Sequence, residues 1–256
     1  MTKMREYKMN GSMIIGVDHG YGNIKTAHRV FPTCVTKSDK APIFSRDYLE
    51  YKEKFYIIGE GHKGFMADKI VDEDYYILTL AAVAMELKER GLTGGRVHLA
   101  AGLPLKWVKE QRESFRDYLM QNTHVDFKYK GQEYKVDFTG CTVMPQCYAA
   151  VAENLRDFQG MNLLVDIGNG TMNLMYLNNG RTMESKSWTE KFGVHQCSIA
   201  IRNAVTDATG DRIDDLIIDN YLRTGETDVG EPNASLIRNY EYYCYMILRS
   251  QARQRA

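Results

Sequence analysis

No stretch of this chain is apolar for long enough to cross a bilayer: the most apolar one, ILTLAAVAMEL at residues 77–87, meets a glutamate after nine residues, where a span needs about 20. Neither sign of charge prevails. Lys plus Arg and Asp plus Glu each number 33, so no global field draws the chain to nucleic acid or to a membrane surface. Cysteine is sparse and scattered, at Cys34, Cys141, Cys147, Cys197 and Cys244, with no C-x-x-C pair. That argues against a disulfide framework and a structural zinc, and for a reduced cytoplasm. The opening MTKMREYKMNGS carries charges but no apolar core, so no signal peptide is expected. Residues 1–12 read as a leader, with Met13 as an alternative start. What the chain does have is 256 residues, 44% of them hydrophobic, enough for one large core or two modest lobes.

Strands and helices alternate along it. MIIGVD (residues 13–18) reads as a buried strand entering a glycine turn, and NIKTAHRVF as the returning strand of a hairpin. EKFYIIG (53–59) is another strand. Residues 74–90 place Tyr76, Ile77, Leu80, Val83, Ala84 and Leu87 at helical spacing, predicting a helix with one buried face that Gly91 stops. RVHLAAGLP reads as a strand, 106–121 as an amphipathic helix, and 125–138 as a hairpin turning at Lys130-Gly131. Pro145 then suits the first position of a helix. The alternation implies an α/β fold.

The first hairpin recurs. NLLVDIGNGTMNLMYLNNGR repeats the apolar strand, the aspartate and the two glycines, and Asp166, Gly168 and Gly170 follow Asp18, Gly20 and Gly22 at one constant offset, 166 − 18 = 168 − 20 = 170 − 22 = 148. A repeat near half the chain length implies two related lobes, each presenting one D-x-G-x-G turn. Glycines in such a turn reach positive φ and leave backbone amides open to a phosphate, while the aspartate holds Mg²⁺ through water. Lys25 adds a cation for phosphate oxygens and Thr171 a hydroxyl. Neither a Walker A loop nor a dinucleotide G-x-G-x-x-G is present in these turns. An ordinary glycine hairpin accounts for one copy, but two copies at a fixed offset point to a clamp for a metal-bound polyphosphate. His19, inside the first turn, reads as a turn residue without a catalytic part. Gln146, placed after Pro145 at a helix start, has an amide able to orient a water; helix capping is its bland alternative.

These residues resemble the actin-like ATPase superfamily, and more closely its ParM/StbA plasmid-segregation family. The resemblance spans roughly residues 13–230. Asp18, Gly20, Gly22, Asn23 and Lys25 match the family's first phosphate motif, and Asp166, Gly168, Gly170, Thr171 and Asn173 the second. TVMPQCYAAVAENL matches the connecting helix and puts Gln146 in the catalytic position. YIIGEG and AAGLPLKWV also look like the family, and SWTEKFGVHQCSIAIRNAV resembles the region near the nucleotide sugar, with Glu190 and Lys191 as candidates. The resemblance therefore implies a two-lobed, actin-like (ribonuclease H-like) α/β fold with duplicated βββαβα cores. Lobe I would span 13–160, with a small insertion at about 32–95, and lobe II 161–256. Gln146 and Asp166 would be catalytic, Asp18 and Asp166 would hold Mg²⁺, and the glycines, Asn23, Lys25, Thr171, Asn173 and Lys191 would bind ATP, with GTP the alternative. A cytoplasmic, filament-forming ATPase that segregates plasmid DNA through a DNA-binding adaptor, without touching nucleic acid or membrane itself, is the implied function.

One family element has no match. No Gly-Gly occurs after residue 171, although the family's adenosine contact uses a late glycine pair. Lobe II is thus expected to be incomplete, which keeps a nucleotide-poor interaction module as an alternative, beside a small-molecule kinase of the same superfamily. Residues 233–249 are expected to form an amphipathic helix with Leu236, Ile237, Tyr240, Tyr243, Cys244, Ile247 and Leu248 on one face, left uncovered and prone to self-association.

Overall fold

The computed structural model describes residues 6–43, 47–60, 69–226 and 234–239. The chain divides into two compact units, Met1–Leu164 with Met175–Trp188, and Val165–Leu174 with Thr189–Ala256. Unit 1 is built on β1 (Lys8–Met9), β2 (Ser12–His19), β3 (Asn23–Lys25), β4 (Val30–Pro32), β5 (Val35–Ser38), β6 (Tyr48–Tyr51), β7 (Lys54–Ile58), β8 (Gly94–Leu103), β9 (His124–Tyr129) and β10 (Gln132–Pro145). These form one sheet in the order β4-β3-β2-β8-β10-β9-β6-β7-β5, with β1 paired to β2. The middle of the sheet is parallel, Met13 to Val17 of β2 running beside Val97 to Ala101 of β8, and β8 in turn beside β10 up to Leu103↔Pro145. Three carboxyl ends of parallel strands therefore lie side by side, at Asp18, Gly102 and Pro145. Open α/β sheets place their ligand sites at such ends.

Two long helices cover the sheet, α1 (Asp74–Glu89) and α2 (Leu105–Leu119). The expected one-sided helix at 74–90 is buried all round: twelve of the sixteen residues of α1 are inaccessible, and it lies against β2, β3, β5, β7 and α2. An apolar-all-round helix belongs in the middle of a core. Its one buried acid, Glu86, is fully engaged, accepting from Thr26 Oγ1 at 2.6 Å, the His28 amide and Nδ1 at 2.9 Å, and Arg90 Nη1 at 2.6 Å. This knot also explains why NIKTAHRVF is not the single strand expected. Glu86 gathers residues 26–29 into a turn, Thr26 N bonding to Arg29 O, and the segment folds into the antiparallel pair β3 and β4.

Burial raises the Glu86 carboxyl, but the bonds from Thr26, Arg90 and His28 outweigh it and hold its pKa at about 2 instead of 4.5. A depressed folded-state value stabilises the fold above pH 4.5, and that contribution is lost as pH falls toward 2. Glu86→Ala should cost about 3–5 kcal/mol at pH 7, because Arg90 and His28 are left without their buried partner. Urea denaturation checks this, and the gap to wild type should narrow between pH 5 and pH 3. A gap below about 1 kcal/mol, the ordinary worth of a surface pair, would overturn it.

The stretch read as a leader contributes to the sheet. Lys8 and Met9 pair with Met13 and Ser12 across the positive-φ turn Asn10-Gly11. Pro145 does not open a helix. The β8–β10 ladder runs through it, Gln146 N donates to Leu103 O at 2.8 Å, and Cys147 takes φ +74° before the four-residue helix α3 (Tyr148–Val151) and a 3₁₀ turn over Ala152–Asp157. Parallel pairing has overridden the local helix preference of proline. A second sheet has the order β11-β12-β13, from β11 (Met161–Ile167), β12 (Met172–Asn178) and β13 (Arg181–Glu190), the last two joined at the positive-φ turn Asn179-Gly180.

Unit 2 carries the ends of these strands that flank the second glycine turn, then α4 (Val194–Thr209) and α5 (Asp215–Thr224). Its core joins Ile201, Val205, Ile213, Ile218, Tyr221 and Ile237, with Leu236 packed alongside. The apolar face expected to be open at Leu236 and Ile237 is thus covered by the chain's own helices. Tyr240, Tyr243, Cys244, Ile247 and Leu248 lie outside the described residues.

Candidate nucleotide site

Period-two alternation along β2 sends Ile15, Val17 and His19 into the core and turns Asp18 the other way. His19 is wholly buried, its Nε2 2.8 Å from Thr79 Oγ1 and its ring edge-on to Phe115. Thr79 spends its own proton on Tyr75 O at 2.6 Å, so His19 Nε2 is the donor. Burial, reinforced by Lys69 and opposed by the Val17 carbonyl, pushes His19 down to about 3, and it stays neutral at physiological pH. It is a core residue.

Asp18 stands at the end of β2 opposite Lys25, whose Nζ lies 3.5 Å from Asp18 Oδ2. The other oxygen, Oδ1, accepts from Gln146 Nε2 at 2.7 Å. Residues 128 positions apart thus meet across the ends of the parallel strands. Gly102 of β8 leaves room beside the pair, since a Cβ there would sit 3.0 Å from Gln146 Cγ. Both side chains of the Asp18–Lys25 pair are accessible, 40% and 55%, and an exposed pair of this kind is readily given up to a ligand.

The turn between β2 and β3 is tied from behind. His19 O accepts from Lys69 Nζ, Gly20 O from Thr33 Oγ1 at 2.8 Å, and Gly22 O from Thr33 N at 3.0 Å. Gly20 does not use the positive φ expected of it; it is required because a Cβ would sit 2.4 Å from Asn23 O. Lys69 has no motif to announce it. It is 2% exposed, with its Nζ over the rings of Tyr21 at 4.7 Å and Tyr75 at 5.4 Å. Burial lowers its pKa, against the opposing pull of Asp18, to about 7.

Unit 2 presents the second turn. Asp166 Oδ2 accepts from Asn173 Nδ2 at 3.3 Å, and Asn173 Oδ1 from Thr189 Oγ1 at 2.8 Å. Asn173 is therefore placed to orient Asp166, and it is buried, as is Thr171. Gly168 N donates to Thr171 O at 2.8 Å, and the carbonyls of Gly168 and Asn169 accept from Val194 N and His195 N, at 3.0 and 2.9 Å, where α4 begins. Gly193 permits this approach, since a Cβ there would meet Asn169 O at 2.3 Å. Gly168 too lacks positive φ; a Cβ on it would lie 3.3 Å from Thr171 O. Glu190 closes β13, and Lys191, just past it, is exposed. Sequence reasoning gave no individual role to Gly102, Thr189 and Gly193, which lie in segments that resemble the family, and passed over Lys69 and Thr33, which carry no local signal.

Among the described residues no three His, Cys, Asp or Glu side chains gather as metal ligands. Single accessible carboxylates fit Mg²⁺, which keeps most of its waters and takes one or two carboxylates with phosphate oxygens.

No curated protein matches the sequence. Among solved structures, the fold resembles a 15-stranded ParM filament from Clostridium botulinum (TM-score 0.71, 15% identity, 94% of this chain and 83% of that one). It also resembles Ta0583, an archaeal actin homolog, in complex with ADP (TM-score 0.68, 17% identity, 92% and 81%). The filament of AlfA from B. subtilis plasmid pLS32 is similar as well (TM-score 0.57, 16% identity, 88% and 96%). These likenesses establish an actin-like α/β fold. The model of the actin like proteins N terminal domain matches residues 16–148, 133 of 256 and so more than half of the chain, and it covers the carboxyl half of β2 with Asp18, Lys25, Gly102 and Gln146. The chain belongs to the actin-like protein family.

Proposed function

We propose that this chain binds and hydrolyses ATP with Mg²⁺ and, in that nucleotide state, assembles into filaments that segregate plasmid DNA in the cytoplasm through a DNA-binding adaptor. The observation that carries the reading is Asp18 held between Lys25 and Gln146 at the carboxyl ends of three parallel strands. Asp18 and Asp166 would hold the hydrated Mg²⁺, which neutralises charge on the phosphates. Lys25 and the amides of the two turns would bind phosphate oxygens, and the Gln146 amide would orient the attacking water. Asn173 and Thr189 would fix the Asp166 carboxylate, and Lys191 would approach the sugar. A balanced surface charge suits contact with DNA through an adaptor. Among the described residues no helix is long and apolar enough to cross a membrane.

High-speed sedimentation tests the reading. The chain should pellet with Mg²⁺-ATP and stay in the supernatant with EDTA or without nucleotide. Equal pelleting in every condition would favour an interaction module, and ATP turnover with no pelleting a small-molecule kinase.

A further inference from the structure

Within one peptide unit the carbonyl and the following amide point in opposite directions. Whatever holds the His19 carbonyl therefore fixes the whole peptide by which β2 enters the turn. The holder is Lys69, fifty residues away in sequence and buried beneath the turn. A lysine is seldom buried without a reason, and this one is caged by two aromatic faces, a carbonyl and the charge of Asp18. In unit 2 the corresponding task falls to backbone. There the first two amides of α4 hold the carbonyls of Gly168 and Asn169. Among the described residues the first turn is held instead by side-chain donors: Lys69 on His19, Thr33 on Gly20, and Tyr75 Oη 3.5 Å from the same Gly20 oxygen.

We propose that Lys69 is a positioning residue for the phosphate-binding turn: by holding the His19 carbonyl from the buried side, it fixes the peptide that enters the turn, and with it the place of the turn amides that would meet the phosphate oxygens of a bound nucleotide. This rests on the nucleotide reading above. Lys69 touches no substrate atom; it acts through the peptide unit between His19 and Gly20. Losing its donor would leave a buried carbonyl unpaired, which the turn can relieve only by rotating that peptide.

Lys69→Met keeps the length and apolar stem of the side chain and removes the donor, whereas Lys69→Arg keeps a donor. Amide hydrogen exchange on the full chain without nucleotide should show residues 16–26 exchanging about tenfold faster in Lys69→Met, with 74–89 within about twofold of wild type and Lys69→Arg near wild type throughout. The Kd for Mg²⁺-ATP should rise about tenfold in Lys69→Met and recover in Lys69→Arg. Wild-type exchange over 16–26 in Lys69→Met would overturn the proposal, and so would acceleration that extends equally over 74–89, which marks a mere core plug. Faster local exchange with an unchanged Kd would also overturn it. A wild type that binds no Mg²⁺-ATP overturns the nucleotide reading itself, while the exchange comparison still decides whether Lys69 holds the turn.

Discussion

Asp18→Ala is expected to erase the thermal stabilisation that Mg²⁺-ATP gives the folded chain. A ligand that binds only the folded state stabilises it by about 2.7 kcal/mol at a hundred times its Kd. Asp18 is the carboxylate at the end of β2, and its two oxygens face Lys25 and Gln146, so its loss removes the metal's proposed anchor and unties both partners at once. Without nucleotide the variant should melt close to wild type, because an exposed ion pair is worth at most about 1 kcal/mol. This separates loss of the site from loss of the fold. Asp166→Ala should behave alike, since the second turn repeats the first at the same offset. Thermal melts with and without Mg²⁺-ATP check both, and two variants that keep the full wild-type shift would misplace the clamp.

The turns were legible because each is local. Asp18, Gly20, Gly22 and Lys25 lie within eight residues, and their spacing recurs at Asp166. Helices α1 and α2 and the Lys130-Gly131 hairpin appear where periodicity and turn chemistry put them. What stayed hidden depends on residues far apart in the chain. The Lys69 side chain reaches back fifty residues, and Glu86 breaks a strand sixty residues before it. Pro145 is governed by Leu103 on the neighbouring strand, a partner no local preference reveals. The repeat itself misleads on burial. Val17 of β2 is buried because β8 runs beside it, whereas Val165, at the same offset of 148 on β11, is 39% exposed; among the described residues β11 has only β12 as a neighbour. Identical strand patterns take different environments when their flanking strands differ.

Gln146→Ala should slow ATP hydrolysis by on the order of a hundredfold while leaving nucleotide affinity nearly intact. The side chain is aimed by three constraints that survive the substitution. The backbone N–H of residue 146 donates to Leu103 O, Cys147 turns the chain at φ +74°, and Gly102 leaves room beside it. What alanine removes is the carboxamide 2.7 Å from Asp18 Oδ1. A carboxamide is too weak a base to take a proton from water, but it can fix the water's direction of approach, and such positioning acts on turnover more than on binding. The affinity should hardly move, because Asp18, Lys25 and the turn amides do not depend on Gln146 for their place in the sheet. Single-turnover phosphate release, set beside a Kd for a non-hydrolysed ATP analogue, separates the two quantities. Unchanged release in a preparation free of other ATPases would take Gln146 out of the mechanism; an equal loss in both would make it a binding residue instead.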